Sequence, residues 1–205
     1  QIDQIPADFT SEDTFQAFIN DSSSYHTFEQ EYPLYRWSVE YTPEEMTAAI
    51  DKTLSSQYGM NPDSILSLQE DGSYLSQPIA SVGEILDVQV TERGKSGIVK
   101  ELQITGSKAT VLVRGQANVR AIMTPADVVI KRQDGSESIA WTLLPSPFYY
   151  VTKNDSGHYL VIGGGFGHGV GMSKNGAKAL ADMGYSAEDI IHHYYTDVDI
   201  VNIYK

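Results

Sequence analysis

Three successive segments, ILDVQVTERG, VKELQITG and KATVLVRG, alternate apolar and polar residues, and each closes on a glycine. Period-two alternation puts one face of a strand toward a core and the other toward water, and the glycines supply turns between strands. This block constrains the fold more than any other stretch, because hairpins joined by short turns build antiparallel sheet. The same pattern continues in WTLLPSPFYYVTKNDSGHYLVIGGG, which predicts two strands around an Asn154-Asp155-Ser156-Gly157 turn.

Helical signals lie outside the block. SEDTFQAFIN predicts a short helix capped by Ser11. YRWSVEY alternates like a strand, and Thr42-Pro43-Glu44-Glu45 follows it as an N-cap with proline at the first helical position, opening a helix to about Tyr58. QANVRAIMTP, from Gln116 to Pro125, predicts a short helix. Further helices are expected from Lys174 to Met183, ended by Gly184, and from a Ser186 cap to about Tyr195. The closing DVDIVNIYK predicts a last strand. The expected class is α+β: a mostly antiparallel sheet core, short flanking helices, and a glycine-rich loop leading into C-terminal helices. The expected division is an acidic N-terminal segment, 1–32, followed by one domain, 33–205.

With 205 residues the chain can bury a real core. Its formal net charge of −13 repels phosphate backbones and argues against nucleic-acid binding. Zero cysteines exclude disulfides, thiolate zinc sites and cysteine nucleophiles. No apolar run approaches the roughly 20 residues of a membrane span.

Candidate chemistry concentrates in GGGFGHGVGMSKNGAKAL, residues 163–180, where six of the first nine residues are glycine. The dinucleotide pattern G-x-G-x-x-G fails, because after Gly163 and Gly165 the third glycine position holds His168. The phosphate-loop pattern fails as well. The loop still enters a helix, so its N–H groups are candidates for a polar ligand. A scaffold reading stands beside this one, in which the glycines only let the chain cross tightly. His168 has no side chains beside it and is expected at the surface of the principal groove. His192 and His193 are adjacent on a helix and point about 100° apart, so they cannot chelate one metal. No metal site and no cofactor are expected.

GFGHGVGMSKNGAKALADMGYSAEDIIHHYYTDV resembles the signature of the SpoIID/LytB family of spore-forming and related bacteria, roughly G-x-G-H-G-V-G-M-S-Q-x-G-A followed by two helices. PLYRWSVEYTPEEM, VTERGKSGIVKELQITG and VRAIMTP resemble further family segments in the same order, so the likeness covers about residues 33–198. The resemblance implies peptidoglycan lytic transglycosylase chemistry. A protonated glutamate gives its proton to the glycosidic oxygen, and the sugar's own 6-hydroxyl closes a 1,6-anhydro ring.

In the family that glutamate lies upstream in a Pro-x-Glu-Met-like stretch. Glu44-Glu45-Met46 resembles it only superficially, so the chain is expected to begin after the catalytic residue, with no catalytic residue of its own. Lys174 stands where the family has glutamine, and Asn175 also departs from the pattern. Zinc-binding cysteines and histidines known in some relatives have no counterpart. The resemblance implies glycan contacts from Gly167, His168, Gly169, Gly171, Ser173 and Lys174, with Tyr35, Trp37 and Tyr194 as stacking candidates. For Trp37 in an alternating strand, core packing is the competing expectation.

The expected partners are peptidoglycan glycan strands, with other cell-wall or sporulation proteins as further candidates, in an extracytoplasmic setting. Whether the chain takes part in cutting glycan or only holds it stays open, as does the scaffold reading. Should the chain cut glycan unaided, Glu31 and Glu44 are the first substitutes for the missing acid.

Overall fold

The computed structural model describes residues 5–21, 25–124, 128–139 and 142–203. It contains two five-stranded antiparallel sheets and five short helices, the α+β class expected from the sequence.

The first sheet has the order β8-β7-β1-β10-β9, built from β1 (Trp37–Tyr41), β7 (Ile130–Arg132), β8 (Glu137–Ser138), β9 (Tyr149–Lys153) and β10 (Tyr159–Gly163). The second has the order β3-β2-β6-β5-β4, from β2 (Ile65–Leu68), β3 (Tyr74–Leu75), β4 (Ile85–Arg93), β5 (Val99–Gly106) and β6 (Thr110–Arg114). The three segments with period-two alternation are β4, β5 and β6, adjacent in the second sheet as their short turns require. The two sheets meet where β4 approaches β9 and β10. Tyr159 donates its hydroxyl to the Ile85 carbonyl at 2.9 Å, and Lys153 Nζ reaches the Leu86 carbonyl at 2.9 Å.

The helices are α1 (Glu12–Asn20), α2 (Pro43–Met60), α3 (Gln116–Ala121), α4 (Lys174–Asp182) and α5 (Ala187–Tyr194). Ser11 caps α1, and Thr42 forms a full capping box with Glu45 at the start of α2. The buried stripe of α2, Met46, Ala49, Ile50 and Leu54, joins residues of both sheets in the main core. α3 stops at Ala121, short of the expected end; Pro125 lies outside the described residues.

The acidic N-terminal segment packs onto the rest of the molecule. Phe9, Phe15, Phe18 and Ile19 form a second buried cluster with Tyr150, and Phe148 packs against it. Arg93, almost wholly buried, takes the Glu12 carboxylate through both Nε (2.6 Å) and Nη2 (2.9 Å), binds the carbonyls of Gly97 and Tyr149, and lies 3.6 Å above the Phe15 ring. Arg36 caps the other end of α1 by donating to the Phe18 and Ile19 carbonyls, where a cation suits the helix dipole. Burial pulls the Arg36 pKa below its ordinary value.

Three elements differ from the sequence expectations. The hairpins β2–β3 and β7–β8 were not foreseen. The expected final strand is not formed among its described residues: 197–203 run without regular structure, Asp197 has φ 54°, and Ile200, Val201 and Ile203 are exposed. Tyr204 and Lys205 lie outside the described residues.

Candidate functional site

The glycine loop leaves β10 beside Trp37, and its first half is stapled to its neighbours. Gly164 N–H donates to Phe148 O, Gly165 N–H to Tyr35 O and Gly167 N–H to Pro145 O, while Ser146 Oγ and Trp37 Nε1 donate to the carbonyls of Gly164 and Gly165. Trp37 is thus a core residue, 2% exposed, and offers no stacking face; its role is to anchor the loop.

The second half of the loop faces outward. Gly165, Gly167, Gly169 and Gly171 all have positive φ, whereas the residues between them do not. L side chains rarely adopt that region, so the alternation itself requires glycine at these sites. Among the described residues, the backbone N–H groups of His168, Gly169, Gly171, Met172 and Ser173 have no hydrogen-bond acceptor. His168 is exposed, and its Nδ1 accepts from Val170 N–H at 3.0 Å. That bond holds the neutral ring with its proton on Nε2, which leaves an outward donor.

Ser173 caps α4 through Gly176 N–H, and its hydroxyl donates to the Glu29 carboxylate. Lys174 is exposed at the first position of that helix.

A pocket of about 210 Å³ opens beside the loop, lined by Gly165, Phe166, Asn175, Glu29, Tyr32, Pro33, Leu34, Tyr35 and Arg132. Gln133 holds its outer wall, since its side chain donates to the carbonyls of Gln30 and Tyr32 and its N–H to those of Pro33 and Arg36. Two of the lining residues, Tyr35 and Arg132, carry a polar atom, Oη and Nε, that is withdrawn from water. Tyr35 is 8% exposed, and the Arg36 guanidinium lies 4.1 Å above its ring, so one ring face is already occupied. A larger depression, about 460 Å³, lies away from the loop, between α1 and the β4 and β9 strands. The glycine loop borders the first of these pockets, and the depression by α1 is separate from it.

The remaining expected residues sit around this pocket rather than in it. Tyr194 is half-buried behind α4, its hydroxyl so close to Gly176 that any side chain there would collide with it. Burial, and then the nearby Glu29 carboxylate, raise its pKa. Tyr35 alone of the expected residues lines the pocket directly, and Ser173 reaches it through Glu29. Glu29, Arg132, Phe166 and Asn175 were missed. Nothing in the sequence around Glu29 separates it from Glu31, and Arg132 arrives from an unforeseen strand. Among the described residues, no group of three or more His, Asp or Glu side chains is arranged to hold a metal ion. None of their helices is long and apolar enough to cross a membrane.

The two linked antiparallel sheets carrying a backbone-lined loop define an α+β domain with a surface suited to a polar ligand. The sequence model of the family described as "Domain of unknown function (DUF8618)" matches residues 60–171, and the chain belongs to that family. Local similarity extends to proteins with other names. The chain is 50% identical over 48 residues to Stage II sporulation protein D of Bacillus amyloliquefaciens, covering 23% of this chain and 14% of that protein. It is 47% identical over 47 residues to Amidase enhancer of Bacillus subtilis, covering 23% of this chain and 7% of that protein. An uncharacterized protein of Brachyspira hyodysenteriae is 36% identical over 73 residues, 36% of this chain and 20% of its own length. The chain therefore spans a small part of each of these relatives.

Proposed function

We propose that this chain binds the glycan strands of peptidoglycan in an extracytoplasmic setting, as part of a SpoIID-like lytic transglycosylase whose catalytic glutamate is supplied from outside these residues. The observation that carries the reading is the set of unaccepted backbone N–H groups of His168, Gly169, Gly171, Met172 and Ser173, on a loop in which every second residue from 165 to 171 is glycine. A glycan is a ribbon of hydroxyl and amide oxygens, which such donors fit. The local likeness to a sporulation protein and to an amidase enhancer supports a cell-wall role.

Each hydrogen bond is worth a net ~0.5–1.5 kcal/mol against water, and association itself is costly, so affinities on the order of millimolar to tens of micromolar follow. Titration of the chain with glycan strands freed of stem peptides tests this. His168→Ala is expected to weaken binding several-fold and leave the melting temperature unchanged, because the side chain is exposed. Absence of binding to every glycan, together with a lowered melting temperature, would return the loop to a scaffold role.

A second reading, a glycan-binding module with no part in cleavage, is separated by product analysis. The chain alone is expected to release no 1,6-anhydro products. Turnover would direct mutagenesis to Glu29, which lines the pocket, ahead of Glu31 and Glu44, which are exposed.

A further inference from the structure

The depression between α1, β4 and β9 holds about 460 Å³, within the ~300–1,000 Å³ of small-ligand sites, and the glycan reading makes no use of it. Two opposite charges line it, Asp87 from β4 and Lys153 from β9, and they form no ion pair with each other. Asp87 Oδ1 accepts from Val88 N–H at 2.9 Å. Lys153 Nζ donates to the Leu86 carbonyl at 2.9 Å and lies 4.6 Å above the Tyr159 ring. The β4 backbone thus steadies both charges, and each keeps capacity for a ligand: the ammonium has two more protons and the carboxylate a second oxygen. Glu12 lines the depression as well, but Arg93 takes both of its oxygens, so that pair adds no free charge. Among the described residues, the lining side chains of Gln16, Gln89 and Thr152 make no hydrogen bond. Val90 and Val151 add apolar surface.

Most ligand classes meet opposition here. An anion is drawn to Lys153 but faces Asp87 and a chain of net charge −13. A simple cation faces the Lys153 ammonium. A neutral polyol leaves both charges without a counter-charge. A zwitterion answers both, carries no net charge for the chain to repel, and makes a charge-assisted hydrogen bond at each end. We propose that this depression binds an α-amino acid or a dipeptide with free termini, its ammonium on Asp87 and its carboxylate on Lys153. Gln16, Gln89 and Thr152 serve the remaining polar atoms of the ligand, and an aliphatic side chain suits Val90 and Val151. The site stands apart from the glycine loop and does not depend on the glycan reading.

Backbone-amide NMR titrations with alanine, with alanyl-alanine, and with alanyl-alanine blocked as its N-acetyl or its C-terminal amide form test the assignment. A free form is expected to bind with an affinity on the order of millimolar, to shift amides among 87–90 and 151–153, and to leave 165–173 unmoved. Whichever of alanine and alanyl-alanine binds more tightly names the source of the zwitterion, and either supports the site. Each blocked form loses one charged partner and is expected to bind at least about fivefold more weakly. Asp87→Asn keeps an acceptor for Val88 N–H, and Lys153→Gln keeps a donor for Leu86 O, so both should fold, with melting curves as the control. Asp87→Asn should weaken the free dipeptide about tenfold and leave the N-acetyl form no weaker; Lys153→Gln should do the same with the amide form. Equal binding of free and blocked forms overturns the proposal, and that comparison needs no variant. Shifts confined to other surfaces, or none up to tens of millimolar, overturn it as well, and leave the glycan reading untouched.

Discussion

Gly163 and Gly165 lie two positions apart, and substitution separates what each one does. A Cβ at Gly163 would sit 2.5 Å from Trp37 Cζ2 and 2.6 Å from the Phe148 carbonyl oxygen, in a fully packed environment. Neither neighbour can retreat cheaply: the indole is core and the carbonyl accepts from Gly164. Gly163→Ala is therefore expected to cost about 3 kcal/mol, at the upper end for overpacking. At Gly165 a Cβ meets open space, and only the φ of 76° resists it. Gly165→Ala should cost about 1–2 kcal/mol, the ordinary penalty for an L residue in that region. Urea unfolding of both variants checks the order; a reversed order would mean that the loop is held by conformation and not by packing. The tight-crossing role once weighed for the whole loop thus belongs to its entry, and its outer half is a different object.

Among the elements, α1 is held by its aromatic cluster, by Arg36 at its last turn and by a buried ion pair at its first. Arg93 joins Glu12 to the carbonyls of Gly97 and Tyr149, so it links the first helix to both sheets. Arg93→Met should destabilise the chain by about 3 kcal/mol, because buried acceptors lose their donor, and should release α1 before the sheets unfold. Hydrogen exchange that rises first in 12–20 is the expected signature.

The longer elements were legible because their signals are local. Ser11 and Thr42 announce helix starts through their own hydroxyls, and β4 to β6 announce themselves by alternation. The hairpins β2–β3 and β7–β8 were not, because strands of two to four residues are too short for a period to show. The tail erred the other way: DVDIVNI alternates well, yet a strand exists only where an edge accepts it, and none does. For the site, the loop was readable as composition, whereas the pocket was not. It forms only when β7 brings Arg132 beside Tyr35 and Gln133 holds the 30–36 segment in place.

At the scale of the whole molecule, buried tyrosines set an alkaline limit. Tyr41 donates to Met123 O at 2.5 Å and Tyr149 to Val119 O at 2.7 Å, and burial raises both hydroxyl pKa values far above their ordinary 10. Their folded pKa values exceed the unfolded ones, so their contribution is complete below pH 10 and is lost as the pH climbs past it, where the unfolded chain releases protons that the native state keeps. Melting temperature is expected to fall from about pH 10 upward, and Tyr41→Phe should make that fall shallower.

The alternation in the outer loop divides its positions into two kinds. At 165, 167, 169 and 171 backbone geometry admits only glycine, whereas Phe166, His168, Val170 and Met172 between them are exposed. Of these, His168 also holds the path of the chain through Val170 N–H, whereas the side chains of Val170 and Met172 make no hydrogen bond. The loop is in effect a glycine frame whose exposed side chains at 170 and 172 are a ready site for evolution or an engineer to retune what the surface prefers.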